Sequence, residues 1–173
     1  QDDARGSKAK AIENIEEGVK RAIIIGVSEY NEDDLKLKYA DNDAILFKNY
    51  LSQVEELSDD NISLLINADA VSLNIVQEFK KLLKKAEAGD ITYIYFAGHG
   101  DVVDDFGEKE GFLLATDANA NQEYYSGGVI PLALLNKIIN TLTAKGSKVV
   151  FKGFNNGRGL AGKLPNLYFA DQS

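Results

Sequence analysis

The chain has 173 residues, 45% of them hydrophobic, and its 27 acidic side chains outnumber 19 basic ones to give a net charge of −8. That size and apolar share suit one ordinary domain with a buried core, and the acidic balance excludes the basic stripe that binding a nucleic-acid backbone requires. There is no Cys and no Met, which excludes disulfides, thiolate metal sites and any cysteine nucleophile.

Residue 1 is Gln, as expected after a cleaved leader or a trimmed start, and export to the periplasm or beyond is favoured over a cytoplasmic location. No apolar run approaches the roughly 18 residues of a membrane span, so no membrane partner is expected. Residues 1–20 are polar and charged, with Ile12, Ile15 and Val19 at helical spacing. This predicts an N-terminal arm or short helix ahead of a domain over 21–173. Residues 22–27 form a β-branched run (Ala-Ile-Ile-Ile-Gly-Val), the pattern of a strand covered on both faces. A polar loop over 28–38 leads to a helix starting near Asp41, whose Ala44, Phe47, Leu51 and Val54 share one side.

The same unit then recurs. Residues 62–66 read as a strand, and Ile75, Val76, Phe79, Leu82, Leu83 and Ala86 form the inner stripe of a second helix that Gly89-Asp90 ends. Residues 91–96 are the third strand, rich in aromatic and β-branched side chains. The stretch from Gly100 to Gly128 reads as a long acidic loop broken by Phe112-Leu113-Leu114. Pro131 suits the first turn of a third helix bearing Leu132, Leu135, Ile138, Ile139 and Leu142. Residues 148–151 are a fourth strand and 167–170 a short fifth. Strands alternating with helices predict an α/β fold, a three-layer sandwich with a mostly parallel sheet. Ligands of such sheets sit beyond the C-terminal ends of the strands, at a switch point. The residues after Val27, Phe96 and Phe151 are therefore the first candidates for chemistry.

After the third strand comes His99, the one histidine of the chain, between Gly98 and Gly100. A lone histidine is more often structural or exposed than functional. Its position at a strand end, flanked by glycines that let a ligand approach the backbone, favours a functional role. One His with no Cys leaves only carboxylates as metal partners, so a metal centre is not expected.

Tyr95-Phe96-Ala97-Gly98-His99-Gly100 resembles the histidine motif of the caspase-like cysteine peptidases, in particular bacterial metacaspases and orthocaspases of the peptidase C14 type. The segment 21–30, ending Gly26-Val27-Ser28-Glu29-Tyr30, is similar to the family's first strand and following turn. Leu37-Lys38-Tyr39-Ala40-Asp41-Asn42-Asp43-Ala44 is similar to its second motif, which opens the first helix. Gly111-Phe112-Leu113-Leu114-Ala115-Thr116-Asp117 resembles a segment in which a short strand precedes an aspartate. The resemblance covers about 20–170 and implies the large-subunit portion of a caspase fold. It implies a base and acid role for His99, an oxyanion-donor role for the Gly100 N–H, and substrate contacts from Ala97 and from Asp43, whose carboxylate would attract an Arg or Lys side chain. Without the resemblance Asp43 reads equally well as a helix-end aspartate favoured by the macrodipole.

The family pattern at the end of the fourth strand is Asp-Ala-Cys, a small polar residue and Gly. Here the chain reads Lys152-Gly153-Phe154-Asn155-Asn156-Gly157-Arg158-Gly159, placing Asn156 where the nucleophile belongs and Phe154 where a pocket aspartate belongs. An amide nitrogen delocalised into its carbonyl is no nucleophile, and no Ser, Thr or Cys lies between Lys148 and Gly162. The expectation is a caspase-like domain without peptidase activity, serving as a binding or scaffolding module for a polypeptide partner. A Cys at 156 would instead give an active endopeptidase cleaving after Arg or Lys. A second alternative is a small-ligand domain using the glycine loop 153–162, although Pro165 interrupts the helix that a dinucleotide loop needs. Asp101, Asp104, Asp105, Glu108 and Glu110 offer oxygens that calcium would accept, but a solvated acidic loop is the preferred reading and no cofactor is expected. The family sheet continues beyond a fifth strand, so a further segment or an additional chain is expected to complete it.

Overall fold

A computed structural model describes residues 18–119, 125 and 127–155, with the side chains of 105, 154 and 155 excepted. The predicted arm before residue 18, the fifth strand at 167–170, Asn156 and the glycine loop beyond it lie outside the described residues. So does the expected completion of the sheet.

Among the described residues seven strands and three α-helices follow in the order β1 (Lys20–Gly26), α1 (Ala40–Gln53), β2 (Ile62–Ile66), α2 (Ser72–Lys85), β3 (Ile91–Gly98), β4 (Gly100–Asp105), β5 (Glu108–Leu114), β6 (Val129–Pro131), α3 (Leu132–Ala144) and β7 (Lys148–Asn155). The main sheet has the order β2-β1-β3-β7 and every pairing in it is parallel. Because side chains alternate across a strand, β1 and β3 feed two cores. Ala22, Ile24, Tyr95 and Ala97 pack under α1 with Ala40, Ala44 and Leu51. Ile23, Ile25, Ile94 and Phe96 face α2 and α3 through Ile75, Phe79, Leu135, Ile138 and Leu142. Helix, sheet and helix pair make the three layers expected from the strand–helix alternation. Gly26 permits the close seat of α1, since a Cβ there would stand 2.5 Å from the Ala44 Cβ and 2.6 Å from the Ala40 carbonyl oxygen.

At the N-terminal edge of the sheet, Asp90 ties three segments together. Its carboxylate accepts the backbone N–H of Val19 and of Glu87, each at 2.9 Å, and pairs with Arg21. Its carbonyl oxygen accepts the Lys148 N–H at 2.8 Å and the Ser147 hydroxyl at 3.2 Å.

Four expectations need correction. The acidic stretch after Gly100 is no loop but an antiparallel hairpin of β4 and β5, extended by β6 into a second sheet of order β4-β5-β6. Its acidic residues lower strand propensity, yet Val103, Leu113 and Leu114 are buried and anchor the two strands in the core. Phe106 and Gly107 turn the hairpin with φ of 51° and 87°, the two positive values a tight hairpin turn requires. Pro131 does not enter the first turn of α3; it ends β6 and caps the helix in an extended conformation. Val54 leaves the inner stripe of α1 and is 61% exposed. Finally, β7 runs four residues past the expected end at Phe151, to Asn155.

Candidate functional site

The chain leaving β1 turns towards β2, while the chain leaving β3 reaches β7 on the other side. The C-terminal ends of β1 and β3 therefore form the switch point, where neighbouring connections diverge and leave room for a ligand. Two segments meet there: the loop after Gly26, and the turn at Gly98-His99-Gly100 between β3 and β4.

His99 is half-buried and held at three points. Its backbone N–H donates to the Tyr30 hydroxyl at 2.8 Å, its carbonyl oxygen accepts the Leu114 N–H at 2.9 Å, and its ring Nε2 lies 2.9 Å from the Leu35 carbonyl oxygen. A carbonyl oxygen only accepts, so Nε2 carries the hydrogen and the neutral ring keeps its basic lone pair on Nδ1. The Tyr30 ring stands 5.3 Å from the imidazole, tilted by 47°. The Tyr30 hydroxyl passes its own hydrogen to the Leu114 carbonyl oxygen at 3.1 Å. Burial drives the Tyr30 phenol far above its ordinary pKa, against the opposing pull of the His99 N–H; it stays protonated and acts as a brace. Gly98 leaves room for this brace, since a Cβ there would sit 2.8 Å from the Tyr30 hydroxyl.

The loop bearing Tyr30 and Leu35 is closed at its base by the Leu37 N–H donating to the Ser28 carbonyl oxygen at 2.9 Å. Ser28 is in turn clamped from two elements. Its hydroxyl donates to Asp41 Oδ1 at 2.8 Å, and its backbone N–H donates to Asn67 Oδ1 at 2.9 Å. Asn67 Nδ2 closes the triangle on Asp41 Oδ2 at 2.9 Å. Partial burial of the Asp41 carboxyl pushes its pKa up, but the hydrogen bonds from Asn67, Ser28 and the Asn42 N–H outweigh that and hold it below the usual carboxylate range.

The remaining expected site residues take different places. Asp43 is half-buried on the first turn of α1. Burial, then the Asp43 charge, raise the Tyr95 phenol above its ordinary pKa. Ala97 is buried under α1, and its carbonyl oxygen accepts the Val27 N–H at 2.9 Å. Gly100 opens β4 in register with Leu113. The last pair between β3 and β7 is Gly98↔Asn155. The next residue after Gly98 is His99, and the next after Asn155 is Asn156, which lies outside the described residues. Among the described residues no three acidic or histidine side chains gather as a metal site. Of the acidic residues after Gly100, Asp101 takes the Tyr125 hydroxyl at 2.5 Å and Asp104 takes the Gly107 N–H at 2.9 Å.

The sequence model of the metacaspase, peptidase C14 domain matches residues 20–151. The chain belongs to the metacaspase family. Metacaspase III c of Phaeodactylum tricornutum is 27% identical over 99 residues, which are 54% of this chain and 29% of that protein. Metacaspase-6 of Arabidopsis thaliana is 30% identical over 86 residues, 47% of this chain and 23% of that protein. The alignments thus span less than a third of either relative's length. A crystal structure of a protein from Geobacter sulfurreducens superposes with a TM-score of 0.65 at 16% identity, over 79% of this chain and 50% of that one, and shows the same fold.

The metacaspase match stops at Phe151, five residues short of Asn156, so it includes the histidine motif and ends before the segment in which the nucleophile was expected. Within the metacaspase domain, Tyr30, Leu35, Ser28, Asp41 and Asn67 hold the histidine and its loop, and sequence reasoning assigned none of them a role. Leu35 acts through its carbonyl oxygen, so its side chain carries no signal. Tyr30 and Asp41 lie inside the motifs that carried the resemblance, but nothing in their spacing says which residue they grip.

Proposed function

We propose that this metacaspase domain does not cleave peptides by the thiol mechanism and serves as a binding module for a polypeptide with a basic side chain. The absence of cysteine from all 173 residues carries the reading. Acyl transfer of this kind starts with a thiolate whose proton passes to the imidazole. His99 has a mount and a basic Nδ1, but the chain offers no thiol proton for it to take. Losing the nucleophile removes covalent catalysis whatever binding geometry remains. Binding is favoured by the half-exposed Asp43 carboxylate on α1, which suits an Arg or Lys side chain by charge pairing.

Fluorogenic peptides ending in Arg or Lys, with and without calcium, test the first half. The expected result is no turnover above buffer, unchanged in His99→Ala; turnover that His99→Ala abolishes would overturn the reading. Fluorescence anisotropy with labelled Arg and Lys peptides tests the second half. Saturable binding weakened by Asp43→Asn is expected, and binding indifferent to Asp43 or no binding at all would refute it.

A further inference from the structure

We infer that Asp41 is the positioning residue of the histidine, acting from α1 through Ser28 and Asn67 on the loop whose Tyr30 hydroxyl and Leu35 carbonyl oxygen fix His99. The carboxylate is three links from the imidazole and touches no part of it. Its two oxygens are divided between the two groups that define the base of the loop: Oδ1 takes the Ser28 hydroxyl at 2.8 Å and Oδ2 takes Asn67 Nδ2 at 2.9 Å. The Ser28 hydroxyl oxygen also accepts the Asp41 N–H at 3.0 Å, so the contact is reciprocal. With its amide thus oriented, Asn67 presents Oδ1 to two successive backbone N–H groups, Ser28 at 2.9 Å and Glu29 at 3.0 Å.

From there the loop is tied at two further points. Ser28 accepts Leu37 through its carbonyl oxygen, and Asn31 N–H donates to the Thr116 carbonyl oxygen at 3.0 Å. The Thr116 hydroxyl returns to the Asn67 carbonyl oxygen. Both ends of the segment therefore meet at Ser28, which Asp41 holds, and its middle meets Thr116, whose hydroxyl is bound to the main chain of Asn67. The two atoms that leave the segment towards β3 are the Tyr30 hydroxyl and the Leu35 carbonyl oxygen, and both end on His99. A carboxylate suits this position because it accepts at both oxygens; an amide would turn one acceptor into a donor facing Ser28 or Asn67.

The inference does not depend on whether the domain cleaves or binds peptides, since it concerns the resting protein. The chain has one histidine, so its ring gives one unambiguous set of nitrogen-15 and proton signals. An imidazole N–H held against a carbonyl oxygen exchanges slowly enough to be seen, whereas a free one is lost to water. The expected result is an Nε2–H resonance in the parent protein at neutral pH, lost in Asp41→Asn and in Asn67→Ala while both stay folded. Asp90→Asn, which loosens the opposite edge of the sheet, is expected to keep the resonance. Two substitutions on separate elements guard against one of them failing to fold. A parent protein with no such resonance, a folded Asp41→Asn or Asn67→Ala protein that retains it, or its equal loss in Asp90→Asn would each overturn the inference.

Discussion

At the N-terminal edge of the sheet Asp90 takes two backbone N–H groups and an arginine; at the C-terminal edge Asp41 takes a serine, an asparagine and a backbone N–H. The residue type is the same and so is the task of joining β1 to its neighbours. The partners differ. Asp90 meets a cation and fixed backbone, so its charge is neutralised in place and nothing projects further. Asp41 meets neutral donors whose own remaining groups continue outward, and the chain of contacts ends on the imidazole. A carboxylate paired with a cation closes a sheet, whereas one satisfied by neutral side chains can mount a loop.

The largest effect is expected from Asp90→Asn. It leaves the partly buried Arg21 guanidinium without its counter-charge, which costs about 3 kcal/mol, read as a loss in urea-unfolding free energy. The comparison breaks if Asp41→Asn costs as much, since then both acids would be closing the sheet alike. Gly98→Ala should cost about 2 kcal/mol, because its Cβ meets the Tyr30 hydroxyl at 2.8 Å and the Phe96 ring at 2.9 Å. It should also disturb the His99 signals, which Asp90→Asn should not. Tyr30→Phe removes the bridge between the His99 N–H and the Leu114 carbonyl oxygen and should cost about 1–2 kcal/mol.

Acid separates the two ends by a smaller margin. Both aspartates are held below the usual carboxylate range; at Asp90, burial pushes the carboxyl up, but the Glu87 N–H and Arg21 outweigh it. A depressed folded pKa means each contributes fully above the unfolded value of about 3.9, and the contribution disappears as pH falls through the folded value. Replacing either residue should therefore flatten the fall in stability below about pH 4. Stability measured against pH checks this, and a variant with the parent slope would show that its carboxyl is not so engaged. The smallest effect lies away from both ends. Phe106 is fully exposed at φ 51°, so Phe106→Asn should raise stability by about 0.5 kcal/mol in thermal unfolding without altering the His99 resonance.

The main sheet was legible because its strands are covered on both faces and read as unbroken apolar runs, as in residues 22–27 and 91–96. The second sheet was not. Its strands carry Asp104, Glu108 and Glu110 on a surface that water solvates, and their pairing is set by the turn at Phe106-Gly107, which lacks the usual Asn-Gly signal. The histidine was legible as a lone residue between two glycines at a strand end. Its mount was not, because two of the three atoms that grip its backbone and ring belong to carbonyl or amide groups that every residue possesses.

The sequence alone determined the alternation of strands and helices, the family-like order of the motifs around His99, and the lack of any thiol. These are properties of residue identity and spacing. Tertiary structure alone decided that Asp41 and Asn67 share one clamp although 26 residues separate them. It also decided that the imidazole hydrogen lies on Nε2, because the Leu35 carbonyl oxygen stands 2.9 Å away. Hydrogen bonds over such distances depend on which strand ends meet at the switch point, and that meeting is fixed only once both faces of the sheet are packed.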